Sequence, residues 1–244
     1  MSPKQNHPED TDQIGHGRLS SVTENYLLSL YSLWEDISIP TVTELTDALK
    51  ALPPTEGLGT SVPSVAGMIR RMQKQGLVDV GSDKRIRLTE QGLRGGEEIA
   101  RRHRLAECLV VELLGMDLQE AHIEAHQLEH GMSPTFESKV MERLGNPSKS
   151  PFGRPIPGTG QPKLPENANT LDQATINTKY IIERIPEEDP KLLGFLSASE
   201  IIPNHHITIV EATPYLGVLM VSTDKTQTSI GYTVAQQIMV IPAS

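Results

Sequence analysis

Between Pro151 and Pro165 the chain reads PFGRPIPGTGQPKLP, five prolines and three glycines in fifteen residues. Proline fixes φ and lacks the amide hydrogen that a helix interior or a central strand needs, so neither can run through this stretch. The chain on its two sides must fold as separate pieces joined by extended backbone. The length of 244 residues leaves room for that, since domains commonly span about 100–200 residues.

Upstream, apolar residues recur at helical spacing. Ser21-Val-Thr-Glu24 is a capping-box pattern, followed by Tyr26, Leu27, Leu30, Tyr31, Leu33, Trp34 and Ile37. Thr41-Val-Thr-Glu44 opens a second, short helix with Leu45, Ala48, Leu49 and Leu52, which Pro53-Pro54 ends. A third helix begins near Ser61 or Ser64, buries Val65, Met68, Ile69 and Met72, and meets Gly76 where a C-terminal glycine belongs. The period then changes. Leu77–Val80, a Gly-Ser-Asp-Lys turn and Arg85–Leu88 read as a hairpin with a basic tip. Three helices and a two-stranded wing make a winged helix-turn-helix, whose third helix enters the DNA major groove. A long helix is expected from Thr89 to Leu114, closed by Gly115; Asp117 caps another to about His130, and Ser133-Pro134 starts a last one ending at Gly145.

Downstream, INTKYIIERI, HITIVEA, YLGVLMVST and QIMVI read as strands, with one helical stretch near Lys191–Ala198. They predict a small β-barrel. The fold class is therefore mainly α with small β elements. Its expected divisions are a disordered tail (1–20), the winged helix-turn-helix (21–92), a helical unit (93–150), a Pro/Gly-rich linker (151–175) and the β unit (176–244).

A single cysteine excludes a disulfide framework and fits a reducing, cytoplasmic setting. The first twenty residues lack the apolar core of a secretory signal, and no apolar run reaches the roughly 18–20 residues that span a bilayer, so no membrane partner is expected. Net charge −9 argues, as an average, against nucleic acid. Its distribution argues the opposite. Ser61–Ala106 carries ten Lys/Arg against five Asp/Glu, a local +5 that leaves −14 elsewhere. A basic third helix and wing on an acidic body suit a DNA reader that touches DNA with one face.

Four of the eight histidines fall between residues 103 and 130: His103, His122, His126 and His130, with Glu107, Glu124 and Glu129 among them. At about 100° per residue, His122, His126, Glu129 and His130 share one helix face, while Glu124 points away. His103 and Glu107 stand one turn apart on the preceding helix. Imidazole and carboxylate donors suit divalent transition metals such as Mn²⁺, Fe²⁺ or Zn²⁺, and two adjacent sites can be filled from this set. Taken singly, each histidine could equally be a hydrogen-bonded core residue. His126-Gln-Leu-Glu129-His130 also spells the inverted zinc-peptidase pattern, with Glu129 as general base, and a purely structural metal-binding adaptor is a third possibility. Cys108 lies in a leucine-rich helical stretch and reads as core, and no serine or threonine has a nucleophile or P-loop setting. An enzyme is not expected.

Thr23-Glu-Asn-Tyr26, Met72-Gln-Lys-Gln-Gly-Leu-Val78, Arg102-His-Arg-Leu-Ala-Glu107, Glu129-His-Gly-Met132 and Ser150-Pro-Phe-Gly-Arg-Pro-Ile-Pro-Gly158 together resemble the diphtheria toxin repressor and manganese-transport regulator family of metal-dependent transcriptional repressors, in its iron-dependent branch. The resemblance implies a helical metal-binding and dimerisation domain after the wing, and a C-terminal SH3-like barrel related to a ferrous-transport accessory domain. It places His103, Glu107 and His122 at an ancillary metal site. His126, Glu129 and His130 fall at the primary site, with Asn25 where the first helix contributes a Met or an Asp. The iron branch has Cys and the manganese branch Glu at the position of His126, so this chain matches neither, and Mn²⁺ or Fe²⁺ is expected with Zn²⁺ possible. On the DNA side it points to Ser61, Pro63 and Ser64 at the start of the recognition helix and Lys84 on the wing; Arg71, Lys74 and Arg85 complete the candidate contacts. Gly67 replaces a side chain that reaches toward bases in relatives, and the segment Pro53–Thr60 is longer than the usual turn. The implied partners are a double-stranded DNA operator and a second copy of the chain, with Leu105, Leu109 and Leu113 either the dimer interface or simply core. The implied function is control of metal-homeostasis genes, metal bridging the DNA-binding and dimerisation units. Glu187 and Glu188 are the nearest candidates for a ligand from the C-terminal domain.

Overall fold

The computed structural model describes residues 19–36, 38–50 and 58–243. The expected tail therefore lies, through residue 18, outside the described residues, as do Ile37, Leu52, Pro53-Pro54 and the longer turn up to Gly57.

Helices α1 (Ser21–Glu35), α2 (Val42–Leu49) and α3 (Val62–Lys74) close around Tyr26, Leu27, Leu45, Leu49, Ile69 and Met72. Their starts follow from side-chain caps, each contributing about 1 kcal/mol. On α1 the cap is Ser20, one residue earlier than the expected Ser21, and its hydroxyl accepts the Thr23 amide. The Thr41–Glu44 box is complete in both directions. Ser61 caps α3, with Pro63 in the first turn. Gly76, at φ +71°, ends α3 in the left-handed conformation that favours glycine. Strands β1 (Val78–Val80) and β2 (Ile86–Leu88) pair antiparallel as the wing.

Helix α4 (Glu90–Cys108) packs on α1 along one side and on α5 (Leu118–Glu129) along the other. Its glycines explain how closely it lies. A Cβ at Gly92 would fall 1.8 Å from the carbonyl oxygen of Leu77 beside the wing, and one at Gly96 would fall 3.0 Å from Tyr31. One continuous helix to Leu114 was expected; instead α4 passes into a π-helical turn, Leu109–Leu113, where the Leu114 amide reaches the Leu109 carbonyl. Helix α6 (Pro134–Arg143), capped by Ser133, packs against α4.

Beyond the proline-rich stretch come β3 (Asn169–Thr170), β4 (Lys179–Arg184), α7 (Pro190–Ala198), β5 (His206–Thr213), β6 (Val218–Thr223), β7 (Gln227–Gly231), α8 (Tyr232–Ala235) and β8 (Met239–Pro242). The strands form one antiparallel sheet in the order β3-β8-β4-β5-β6-β7. The expected C-terminal β unit is present with its strands in this open order: among the described residues no pairing joins β3 to β7. Register shifts at Ile182/Arg184 and Ile209/Glu211 bend β4 and β5. The short β3 and α8 carry too few residues for a periodicity to show, and β7, reading QTSIG, has Ile230 as its one large apolar residue.

The stretch expected to be a linker is packed along its first part. Phe152 is fully buried in the core of the sheet unit, which also takes Val110 and Ala121 from the helical unit. Buried proline-rich backbone still needs partners for its carbonyls. Arg104 donates to Pro155 O and Arg101 to Pro157 O. No helix among the described residues is long and apolar enough to cross a membrane.

Candidate metal centre and nucleic-acid interface

α4 carries His103 and Glu107 on one face, and α5 turns His122, His126 and Glu129 toward them; all five are buried. The rings meet nitrogen to nitrogen. His103 Nε2 lies 3.2 Å from His122 Nδ1, and His122 Nε2 lies 3.3 Å from His126 Nε2. Glu107 Oε1 is 3.0 Å from His103 Nε2 and 3.1 Å from His122 Nδ1, while Glu129 Oε2 is 2.5 Å from His103 Nδ1. His130, at the end of α5, has its Nε2 3.4 Å from Glu129 Oε1. Glu124 is exposed on the far face. Among the described residues two groups offer ligand atoms within 4.8 Å of one another: His103, His122 and His126, and Glu107, His122 and Glu187. Glu187 follows β4, and with Glu188 it lines a cavity of about 150 Å³ between α1 and the imidazoles.

This donor set fits a divalent cation. Glu107 Oε2, His130 Nε2 and Glu187 Oε2 are buried and make no hydrogen bond, and buried Glu129 Oε1 has only His126 Nδ1 at 3.5 Å and His130 Nε2 at 3.4 Å, an expensive arrangement for protein alone and an ordinary one for ligand atoms. The charges agree. Burial opposes a proton on His103, but the carboxylates of Glu107 and Glu129 override it and hold the ring well above its usual pKa. Burial, with the charge of His103, pushes His126 down to about 4. Burial would raise Glu107, yet its histidine neighbours hold it well below the usual carboxylate range. The two ligand sets implied by the resemblance are one continuous cluster here, since His103 of the ancillary set bonds Glu129 of the primary set.

Asn25 is buried on α1. Its neighbour Glu24, which the sequence marks only as part of a capping-box pattern and not as a candidate site residue, reaches the cluster directly: Oε2 is 2.7 Å from His130 Nδ1, and Oε1 accepts from Arg102 at 2.9 Å. These two bonds outweigh burial and lower its pKa. At its other end α1 is held by arginines. Arg104 grips both oxygens of Glu35, Arg184 and Arg154 bind Asp36, and Arg154 also reaches Glu187 at 3.0 Å.

On the opposite side of the DNA-binding unit, Ser61, Pro63, Ser64, Arg71 and Lys74 are exposed along α3, together with Arg70, and Lys84 is exposed at the wing tip. Arg85 is half-buried, facing Glu44 at 3.5 Å and the Ile39 carbonyl. A Cβ at Gly67 would meet nothing nearer than Arg70 Nη2 at 4.0 Å.

A winged helix-turn-helix whose first helix is bonded to a buried His/Glu cluster defines a metal-responsive DNA-binding regulator. Residues 18–86 match the iron dependent repressor N-terminal DNA binding domain, residues 89–158 the iron dependent repressor metal binding and dimerisation domain, and residues 169–242 the FeoA domain. The iron-dependent repressor IdeR of Mycobacterium bovis is 32% identical over 216 residues, 83% of this chain and 89% of its own. The diphtheria toxin repressor of Corynebacterium diphtheriae is 36% identical over 140 residues, 57% of this chain and 58% of its own. A solved manganese-dependent transcriptional repressor in complex with manganese superposes with a TM-score of 0.77 at 28% identity, covering 91% of this chain and 100% of that one. The chain belongs to the iron-dependent repressor family and is a metal-dependent transcriptional repressor. The peptidase reading of His126, Glu129 and His130 is not supported: Glu129 is fully buried against His103, where no substrate water could reach it.

Proposed function

We propose that this repressor is activated by Mn²⁺ or Fe²⁺, Zn²⁺ being the other ion its imidazoles suit, and that it binds a double-stranded operator of metal-homeostasis genes as a cytoplasmic homodimer. The observation that carries this is the donor set. It offers imidazoles and carboxylates, with the amide of Asn25, and no sulfur: the one cysteine, Cys108, donates its thiol to the Lys149 carbonyl instead. We assign His126, Glu129 and His130, with Asn25, to a primary site, and His103, Glu107 and His122, joined by Glu187, to an ancillary one. A divalent cation bound there adds bonds among α1, α4 and α5 that one arrangement of these helices satisfies best. The chain's own residues carry the rest. Ser61, Pro63 and Ser64 enter the major groove, while Arg71, Lys74, Lys84 and the partly engaged Arg85 face phosphates.

The units proposed for these tasks are residues 21–92 for DNA, 93–150 for metal and dimerisation, 151–175 as connection and 176–244 as the SH3-like unit. Leu105 is fully buried in the protomer and so belongs to the core, whereas Leu113, Leu114 and Leu128 remain exposed on the helical unit and suit the dimer contact. No catalytic role is proposed. A mobility-shift assay on an operator fragment tests the reading. Binding should appear on adding Mn²⁺ or Fe²⁺ and vanish with chelator. His126→Ala and Glu129→Ala should lose the metal response while keeping the helical circular-dichroism spectrum. Tight binding indifferent to chelator would sink the proposal.

A further inference from the structure

Asn25 is a neutral amide at the position from which α1 was expected to reach the metal, and beside it on the same helix stands a charged contact to the cluster. We propose that Glu24 is a positioning residue for His130: it holds the Nδ1 proton of that ring, turns Nε2 into the metal cluster, and so makes α1 respond to what α5 binds. This rests on reading His130 as a ligand.

The argument is one of proton bookkeeping. An ionised carboxylate can only accept hydrogen bonds, so the 2.7 Å contact from Glu24 Oε2 to His130 Nδ1 requires the proton on Nδ1. In a neutral ring the lone pair is then on Nε2. That atom is buried, makes no hydrogen bond and lies 3.4 Å from Glu129 Oε1, a buried oxygen whose other nitrogen neighbour is His126 Nδ1 at 3.5 Å. Two lone pairs facing each other are repulsive unless a cation sits between them. Glu24 is itself fixed. It is 5% exposed, its second oxygen is taken by Arg102 Nη2 at 2.9 Å, and Arg102 Nη1 donates to the Glu129 carbonyl at 3.4 Å. One guanidinium from α4 thus aligns the carboxylate of α1 with the last turn of α5. A carboxylate behind a ligating imidazole sets its orientation and raises its basicity, and losing such a partner typically costs about 10–100-fold in metal affinity.

The experiment titrates the full-length chain with Co²⁺ alone, following the visible ligand-field spectrum, for wild type, Glu24→Ala, Glu24→Gln and His130→Ala. The Gln side chain keeps an oxygen that can accept from Nδ1. Expected are a roughly 10–100-fold loss of Co²⁺ affinity with an altered spectrum in Glu24→Ala, and recovery of the wild-type spectrum in Glu24→Gln. Wild-type affinity and spectrum in Glu24→Ala would overturn the proposal. Should His130→Ala also bind as wild type, what fails is the assignment of His130 as a ligand, which separates the two ideas. If Glu24→Ala does not fold, nitrogen-15 shifts of His130 in the metal-free wild type decide: an Nδ1–H tautomer supports the proposal, and an Nε2–H tautomer or a doubly protonated ring defeats it.

Discussion

Arg104 is the largest side chain that the fold buries completely, and its charge is matched by Glu35 on α1 and the Pro155 carbonyl of the proline-rich segment. Truncating one partner of such a pair strands the other charge in the interior. Arg104→Ala should therefore destabilise the protein by about 3–5 kcal/mol, read as a lower urea midpoint, with the double change Arg104→Met, Glu35→Leu costing much less. Arg154 Nη1, 3.7 Å from Glu35, is the nearest charge that could soften the single substitution. A second expectation concerns His103. Burial disfavours its proton, but Glu107 and Glu129 raise its pKa well above the usual value, which favours the charged ring. A ligating imidazole must be neutral, so metal uptake has to expel that proton, and affinity should fall as pH falls. Calorimetry of Mn²⁺ binding in buffers of different ionisation enthalpy measures the release; none at pH 7 would contradict this charge state.

Among helical glycines, environment decides what each substitution does. Gly67 sits inside α3 with open space around a virtual Cβ, so nothing in the fold requires a glycine there. Gly67→Ala should stabilise the protein by about 0.5–1 kcal/mol and, on the exposed face of the recognition helix, change operator affinity in a mobility-shift assay. Gly92→Ala should do the reverse to stability, since its Cβ would strike the Leu77 carbonyl; a higher melting temperature for that variant would show the contact to be looser than described. Elements of this kind were legible because their causes are local: the Thr41–Glu44 box, Ser61, Gly76 and the change of period at Leu77 all act within a few residues. The His/Glu cluster was legible for the same reason, its members recurring at one-turn spacing. Glu24 was not, because it meets His130 across 106 positions of sequence and its local pattern reads as a helix cap, not as part of the cluster. The bond between Arg154 and Glu187, 33 positions apart, was hidden in the same way, although Glu187 itself stands among the candidate ligands.

For the whole molecule, charge needs a finer reading than a count. Of the ten cations in Ser61–Ala106, six are engaged internally: Arg85 with Glu44, Arg87 with Asp83, Arg94 with Glu90, Arg101 with Glu137, Arg102 with Glu24 and Arg104 with Glu35. Arg70, Arg71, Lys74 and Lys84 are exposed and make no ion pair among the described residues. A dimer using these four and the partly engaged Arg85 of each protomer should show log K falling against log salt with a slope of about −9, whereas full use of all ten would give about −18. Operator binding across a salt series distinguishes them. The Gly92 contact has a mechanical consequence. Because α4 lies backbone against backbone at Leu77, the helix and the wing cannot slide past each other, and the rod from Gly92 to His103 acts as a lever arm of about 16 Å. A tilt of about 4° imposed at the histidine end moves the wing by about 1 Å, comparable to the tolerance of a hydrogen bond. The repressor can therefore convert an ångström-scale adjustment among imidazoles into the gain or loss of a phosphate contact, with no hinge in between.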